Sequence, residues 1–257
     1  MSVVTYEVAG SAARLTINRP DFRNALSDEV FDGLRAGVKA ARANAAVRVL
    51  VLTGAGDKAF CAGGDLRKMG DDTGAFEAHQ GRAQLAGLLR DLWELGKPTI
   101  ARVQGYALAG GFGLALACDF VVASDRAKFG TPEVKAGLWP YMITVPLLHA
   151  MRPKDALRLM LTGRQVSAAE GERLGFISHL VPHEKLDETV DALIAELSAV
   201  SPQATTLGRT AFYAVLNHDL DARLRMLEAS LSVNIGFPDA REGIAAFMEK
   251  RAPRWDK

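Results

Sequence analysis

GYALAGGFGLALACDF, residues 105–120, is the stretch that decides the fold. Four glycines, Gly105, Gly110, Gly111 and Gly113, lie in an otherwise apolar run, and no charged side chain appears before Asp119. A membrane-spanning helix needs about 20 apolar residues. The uncharged span here is shorter and is closed by Arg102 and Asp119. A dinucleotide loop is also a poor match, because G-F-G-L-A-L lacks the third small residue of that fingerprint. Two readings remain: a tightly packed core helix, or a loop that offers backbone N–H groups to a ligand.

The surrounding chain fits a soluble α/β protein. Its 257 residues suffice for one large domain, or a domain with an appendage. It is 49% hydrophobic and 24% charged, so a sizeable core can form without disulfides or metals. A net charge of +1 gives no electrostatic case for nucleic acid or an anionic membrane. Cys61 and Cys118 lie far apart in apolar settings, as expected of buried reduced thiols. The opening MSVVTYEVAG has neither a basic region nor a long apolar run, so a cytoplasmic location is expected.

Strand and helix signals alternate through the first part. Residues 3–8 and 13–20 read as β-rich runs around a turn containing Gly10. A helix is expected over about residues 28–44, with Ser27 as its cap and Asp28 and Glu29 in its first turn. RVLVLTG, 48–54, is continuously apolar, as suits a strand buried on both faces. Leu85, Leu88, Leu89 and Leu92 recur at helical spacing before Gly96 and Pro98 stop the run. Residues 98–105, 120–124 and 127–130 are further strand candidates. Such alternation implies a parallel or mixed sheet in an α/β layer. Later signals are helical, with capping boxes at Ser167/Glu170 and Asp239/Glu242 and a cap at Ser201 before Pro202. Residues 176–181 form the one good strand there. The expected domains are an α/β core over 1–195 and a helical region over 196–257.

Several chemistries can be set aside. The chain has no Walker-type loop, no G-x-S-x-G elbow and no H-E-x-x-H. Its five histidines do not cluster, and Pro182 separates His179 from His183, so no metal site is expected. Two segments, 59–66 and 106–113, have the composition of loops that present N–H groups where a strand yields to a helix. Two such donors meeting on one oxygen would make an oxyanion hole; tight packing is the alternative. Glu133 follows Thr131-Pro132. An acid there suits a helix start. It would equally suit a general base in an apolar pocket beside Phe129, Leu138 and Trp139, raised by partial burial.

Five segments, in order, resemble the crotonase superfamily, the enoyl-CoA hydratase/isomerase family. NRPDFRNALS (18–27) is similar to its N-terminal motif, KAFCAGGDLRKM (58–69) to its A-G-x-D segment, and QGYALAGGFGLALACD (104–119) to its glycine-rich segment. FGTPEVKAGLWP (129–140) is similar to its catalytic turn, and EGIAAFMEKRAP (242–253) to its C-terminal helix. The resemblance implies a spiral of ββα units, a helical trimerisation region, and assembly as a homo-oligomer, a trimer or dimer of trimers. It implies no tightly bound cofactor and an acyl-CoA substrate that brings coenzyme A with it. The N–H groups of Gly64 and Gly110 would hold the thioester oxygen as an enolate forms. Coenzyme A would lie along Ala62, Gly63, Gly64, Asp65 and Leu66, with Arg23, Lys68, Phe247 and Lys250 adding contacts, the last two from a neighbouring subunit. Met69, Gly113, Trp139, Tyr141 and Met142 would shape the acyl pocket.

One departure bears on the reaction. Hydratases of the family carry a glutamate three residues after the oxyanion glycine, and here that position is Gly113. The second glutamate matches Glu133. The aspartate of dienoyl-CoA isomerases falls on Tyr141. The nominal activity is enoyl-CoA hydration, with Glu133 as the single acid/base. The alternatives are Δ3-Δ2-enoyl-CoA isomerisation, which needs only one base, and a degenerate CoA-binding scaffold.

Overall fold

The structure is a computed structural model that describes residues 2–65, 75–216, 231, 233–234 and 237–254. Side chains of 75–82 and 247 lie outside the described set, as do Leu66, Lys68 and Met69 entirely.

Two sheets organise the described residues. The larger runs β1-β2-β3-β5-β7-β10 and the smaller β4-β6-β8-β9. Strands β1 (Val4–Ala9) and β2 (Ala12–Ile17) form the expected hairpin, in antiparallel register Val4↔Ile17 to Ala9↔Ala12. Strands β3 (Val49–Gly54), β5 (Thr99–Val103), β7 (Phe120–Ser124) and β10 (His179–Val181) then add in parallel. Every residue of β3 is buried, and the two faces serve different neighbours. Val49 and Val51 join Ile100 and Val122 beneath Leu186, Val190 and Leu193 of the helix Leu186–Ser198. Leu50 and Leu52 face the main core with Val30, Leu34 and Val38 of α1 (Asp28–Ala43) and Leu88, Leu89 and Leu92 of α2 (Ala75–Trp93).

The smaller sheet is made of three-residue strands: β4 (Ala59–Cys61), β6 (Tyr106–Leu108), β8 (Lys128–Gly130) and β9 (Gln165–Ser167). The first three are parallel neighbours, and β9 closes the edge antiparallel. Helix α3 (Gly110–Leu116) follows β6 and is buried throughout. Phe112 on α3 meets Phe129 and Phe176 at 5.4 and 5.1 Å between ring centroids, an edge-to-face cluster that locks α3 to β8. Helices α4 (Thr144–Ala150), α5 (Pro153–Thr162) and α6 (Ala168–Leu174) follow, then α7 (Leu186–Ser198), α8 (Pro202–Val215) and α9 (Pro238–Met248).

Caps differ from expectation in two of four places. Ser167 accepts from Glu170 N–H at 3.2 Å, and Ser201 accepts from Ala204 N–H at 3.0 Å ahead of Pro202. Ser27 precedes α1 without a side-chain cap bond. Asp239 lies inside α9 rather than capping it: its Oδ2 accepts from Ser201 Oγ at 2.6 Å, tying α9 to the start of α8. Glu242 turns instead to Arg251, whose Nη1 donates to it at 2.6 Å, and to Arg254 N–H at 2.7 Å. These contacts hold its carboxyl down at about 2. No described helix is long and apolar enough to cross a membrane.

Candidate active site

Three parallel neighbours of the smaller sheet end side by side, at Cys61, Leu108 and Gly130. Parallel strands lie about 4.8 Å apart. Gly64, Gly110 and Glu133 follow those ends by three, two and three residues, so all three emerge on one rim. The carboxyl-terminal edge of a parallel sheet is where α/β proteins place ligands.

Gly64 is positioned by a bridge to Leu26. Leu26 N–H donates to the Gly63 carbonyl at 2.8 Å, and Asp65 N–H donates to the Leu26 carbonyl at 2.9 Å. Leu26 therefore bonds the residues on either side of Gly64, and Gly64's own N–H points away. Arg19 adds a clamp, its Nη2 donating to Asp65 Oδ2 at 3.2 Å and its Nη1 to the Ala25 carbonyl at 2.9 Å. Arg23 lies beside this loop, since its carbonyl accepts from Ala62 N–H at 3.0 Å, and its side chain is exposed.

Gly110 is aimed by Ala109. Ala109 N–H donates to the Gly130 carbonyl at 2.9 Å, and its backbone sits at φ 50, ψ −129. That conformation suits glycine and costs a residue with a Cβ about 1–3 kcal/mol. It turns the chain so that Gly110 N–H is the first of α3, and first-turn N–H groups have no partner within their helix. Gly63 packs directly on this turn: a Cβ there would come within 2.6 Å of Ala109 Cβ and 3.4 Å of Gly110 N. The two donor segments are thus in contact. Among the described residues, neither Gly64 N–H nor Gly110 N–H has a backbone acceptor.

Glu133 lies in the 3-10 turn Pro132–Ala136. Partial burial pushes its carboxyl above the ordinary range, and a bond from its own N–H offsets only part of this. Among the described residues, its Oε2 is buried without a hydrogen-bond partner, as is Thr131 Oγ1. Buried polar atoms are paired in the great majority of cases; an orphan carboxylate oxygen on the same rim as two N–H groups without backbone acceptors is the signature of a site that a ligand completes. The expected walls of its pocket are only partly there. Trp139 and Met142 are half-buried against the core, but Phe129 belongs to the aromatic cluster, Leu138 is exposed, and Tyr141 is 73% exposed.

The glycines divide into two groups. A Cβ at Gly105 would lie 2.3 Å from the Lys58 carbonyl oxygen, and one at Gly111 2.3 Å from that of Cys61, so both are required by packing. At Gly110 the nearest atom would be Leu26 Cδ1 at 3.3 Å, a tight approach to the end of a side chain rather than to backbone. At Gly113 the Cβ would meet Ile143 Cγ2 at 2.1 Å and Ile143 Cβ at 2.6 Å. Ile143 is 2% exposed, so its side chain fills the place into which a residue at 113 would project.

The family model described as enoyl-CoA hydratase/isomerase matches residues 7–257. The chain belongs to the enoyl-CoA hydratase/isomerase family. It is 38% identical to a putative enoyl-CoA hydratase of Thermus thermophilus, over 96% of this chain and 98% of that one. It is 34% identical to the crotonyl-CoA hydratase of Syntrophomonas wolfei, over 93% and 92% of the two chains. The solved enoyl-CoA hydratase of Mycobacterium smegmatis superposes with a TM-score of 0.94 at 30% identity, covering 98% of each chain. The fold is therefore crotonase-like, and the family is one of enzymes acting on CoA thioesters.

The hydratase/isomerase motifs contain positioning residues whose task the sequence did not disclose. Asn24, buried with φ 55, donates through Nδ2 to the carbonyls of Ala55 at 3.0 Å and Ala59 at 2.7 Å. Gln104 Nε2 donates to the carbonyls of Gly54, Gly56 and Ala59 at 2.7, 3.0 and 2.9 Å. Together they tie the end of β3 to the start of β4, which carries the Gly64 loop. A polar residue directly after an apolar strand is the signal Gln104 offered; Ile143 offered none. Lys250 is exposed at the end of α9, with φ 56. Arg251 is occupied by Glu242 and Glu249. Two cavities, of ≈ 360 and ≈ 260 Å³, lie away from this rim. In the larger, Lys97 Nζ donates to the carbonyls of Ala41 and Asn44, closing the end of α1. Among the described residues no His, Cys, Asp or Glu cluster could hold a metal.

Proposed function

We propose that this family member binds an acyl-CoA with its thioester oxygen between Gly64 N–H and Gly110 N–H, and uses Glu133 as its single acid/base. The observation that carries this is the half-buried, raised Glu133, with an orphan oxygen, on the rim shared with both glycines. Donors fixed before charge develops contribute about 3–4 kcal/mol each to an oxyanion. The nominal reaction is reversible hydration of a 2-enoyl-CoA. Glu133 takes a proton from water as the hydroxyl oxygen bonds to C3, and the electron pair moves onto the thioester oxygen. Protonated Glu133 then gives that proton to C2 on the same face, and the enolate collapses.

A second reaction is favoured by the Gly113–Ile143 packing, which leaves no place for a second carboxylate. Glu133 would take the C2 proton of a 3-enoyl-CoA and return it at C4, moving the double bond with no change in mass. Incubation with 2-enoyl- and 3-enoyl-CoA panels, read by product mass, separates the two. Inactivity on both, with acyl-CoA binding retained, would favour a scaffold. Glu133→Gln is expected to lose at least about 100-fold in kcat, within the range for a positioned acid/base; full activity would remove Glu133 from the mechanism.

Arg23, whose carbonyl accepts from Ala62 N–H, would contact a coenzyme A phosphate, and Lys250 would serve from a neighbouring subunit. Tyr141, Val145 and Leu148 near α4 and Leu157 and Leu161 on α5 are exposed apolar side chains, and burying them would favour a homo-oligomer. Light scattering on the purified protein tests the oligomer.

A further inference from the structure

We propose that Ile143 determines the reaction, setting how far this enzyme hydrates rather than isomerises, because its side chain holds the volume beside Gly113 dry and closed to an acid. The inference deepens the single-base mechanism above and rests on it.

Gly110 and Gly113 are three apart on α3, so they share a face of that helix. Gly110 supplies the oxyanion donor, and a side chain at 113 would project from the same face. Ile143 Cγ2 lies 2.1 Å from that side chain's first atom and Ile143 Cβ lies 2.6 Å from it, while the backbone Cα is 3.4 Å away. The obstacle is thus the Ile143 side chain and not its main chain. Ile143 precedes α4, where its carbonyl accepts from Leu147 N–H at 3.1 Å, so the backbone bond survives any substitution of its side chain.

The two reactions differ in what they need at this place. Hydration must bring a water to C3, with its proton passing to Glu133 and its oxygen to carbon. Isomerisation moves one proton from C2 to C4 through Glu133 and needs no water. A branched apolar side chain beside Gly113 therefore penalises hydration selectively and leaves isomerisation open. Ile143 would act by shaping the space around the enolate, as a positioning residue.

The test is the ratio of 2-enoyl-CoA hydration to 3-enoyl-CoA isomerisation, a quantity that cancels the active fraction of each preparation. Ile143→Ala is expected to raise the ratio at least tenfold. Ile143→Val keeps both atoms that face Gly113 and is expected to stay closer to wild type. The pair Gly113→Glu with Ile143→Gly is expected to raise the ratio further, while Gly113→Glu alone disrupts the fold. If Ile143→Ala folds poorly, a thermal cycle replaces it: Gly113→Ala should lower the melting point in the native background and not in Ile143→Gly. An unchanged ratio in Ile143→Ala, or independent melting shifts in the cycle, overturns the role of Ile143. Wild-type enzyme inert on both substrates, or a fully active Glu133→Gln, instead overturns the single-base mechanism.

Discussion

Removing the carboxylate of Asp119 should uncouple the C-terminal helices from the core. Asp119 ends the glycine-rich stretch and accepts from Thr99 N–H at 2.7 Å, Thr99 Oγ1 at 3.0 Å, Arg209 Nε at 2.8 Å and Tyr213 Oη at 2.5 Å. The Arg209 side chain is 7% exposed and that of Asp119 17%. In Asp119→Ala, Arg209 keeps the carbonyls of Trp93 and Leu92 and the face of the Tyr213 ring, but no carboxylate, for its buried charge. Stranding one partner of a buried pair costs about 3–5 kcal/mol. For a chain of this size that lowers the melting point by about 6–20 °C. Tyr213→Phe, which removes one bond to a charged group, should cost about 1.5–3 kcal/mol. Replacing both ions, Asp119→Leu with Arg209→Met, should be milder than Asp119→Ala, since apolar substitutes for a buried pair are often neutral. Urea unfolding followed by circular dichroism measures all three. A double variant as unstable as Asp119→Ala would show that the stranded charge is not the cause, and the explanation would fail.

Three further outcomes follow from the same geometry. Burial raises the folded-state pKa of Glu133 above its unfolded value of 4.5; its contribution to stability is then complete below 4.5 and is lost as pH rises through the raised value. Glu133→Gln should accordingly melt higher than wild type at neutral pH, and lose that advantage in acid, while being inactive; equal melting points throughout would contradict the burial. Cys61 and Cys118 are free, buried, and pushed up to about 12 by desolvation, so a thiol reagent at neutral pH should label the chain only after denaturation, read by mass. Arg19→Met should loosen the Asp65 side of the Gly64 loop and lower kcat/KM by about tenfold, the equivalent of about 1.4 kcal/mol, with little change in secondary structure by circular dichroism.

Long periodic elements were legible, and short ones only in part. The helix Asp28–Ala43 and the strand Val49–Gly54 announce themselves, because apolar spacing over many residues reports a buried face directly. The strands 59–61, 106–108 and 128–130 are too short for any period to show; 127–130 was legible as a strand candidate and the other two only as places where a strand yields to a helix, yet together they form the sheet that gathers the site. The motif residues Gly64, Gly110 and Glu133 were identifiable by family resemblance, and the rim they share follows only from the pairing of those strands. Ser27 and Asp239 misled because a capping residue is defined by where its oxygen points, and Asp239 points to another helix. Ile143 was invisible because nothing in a linear sequence shows that it fills the space facing Gly113, thirty residues away.

The contact of Gly63 with the Ala109 turn has a consequence for how the enzyme fails with heat. One donor segment carries the methyl group and the other the hydrogen that makes room for it. Each is also bonded to a different part of the core, one through Leu26 and the other through Gly130. Neither N–H can drift without disturbing the strands behind it. Among the described residues, both glycine segments are tied to the core at this contact. Turnover should therefore persist almost to the temperature at which the whole fold gives way, and then vanish with it.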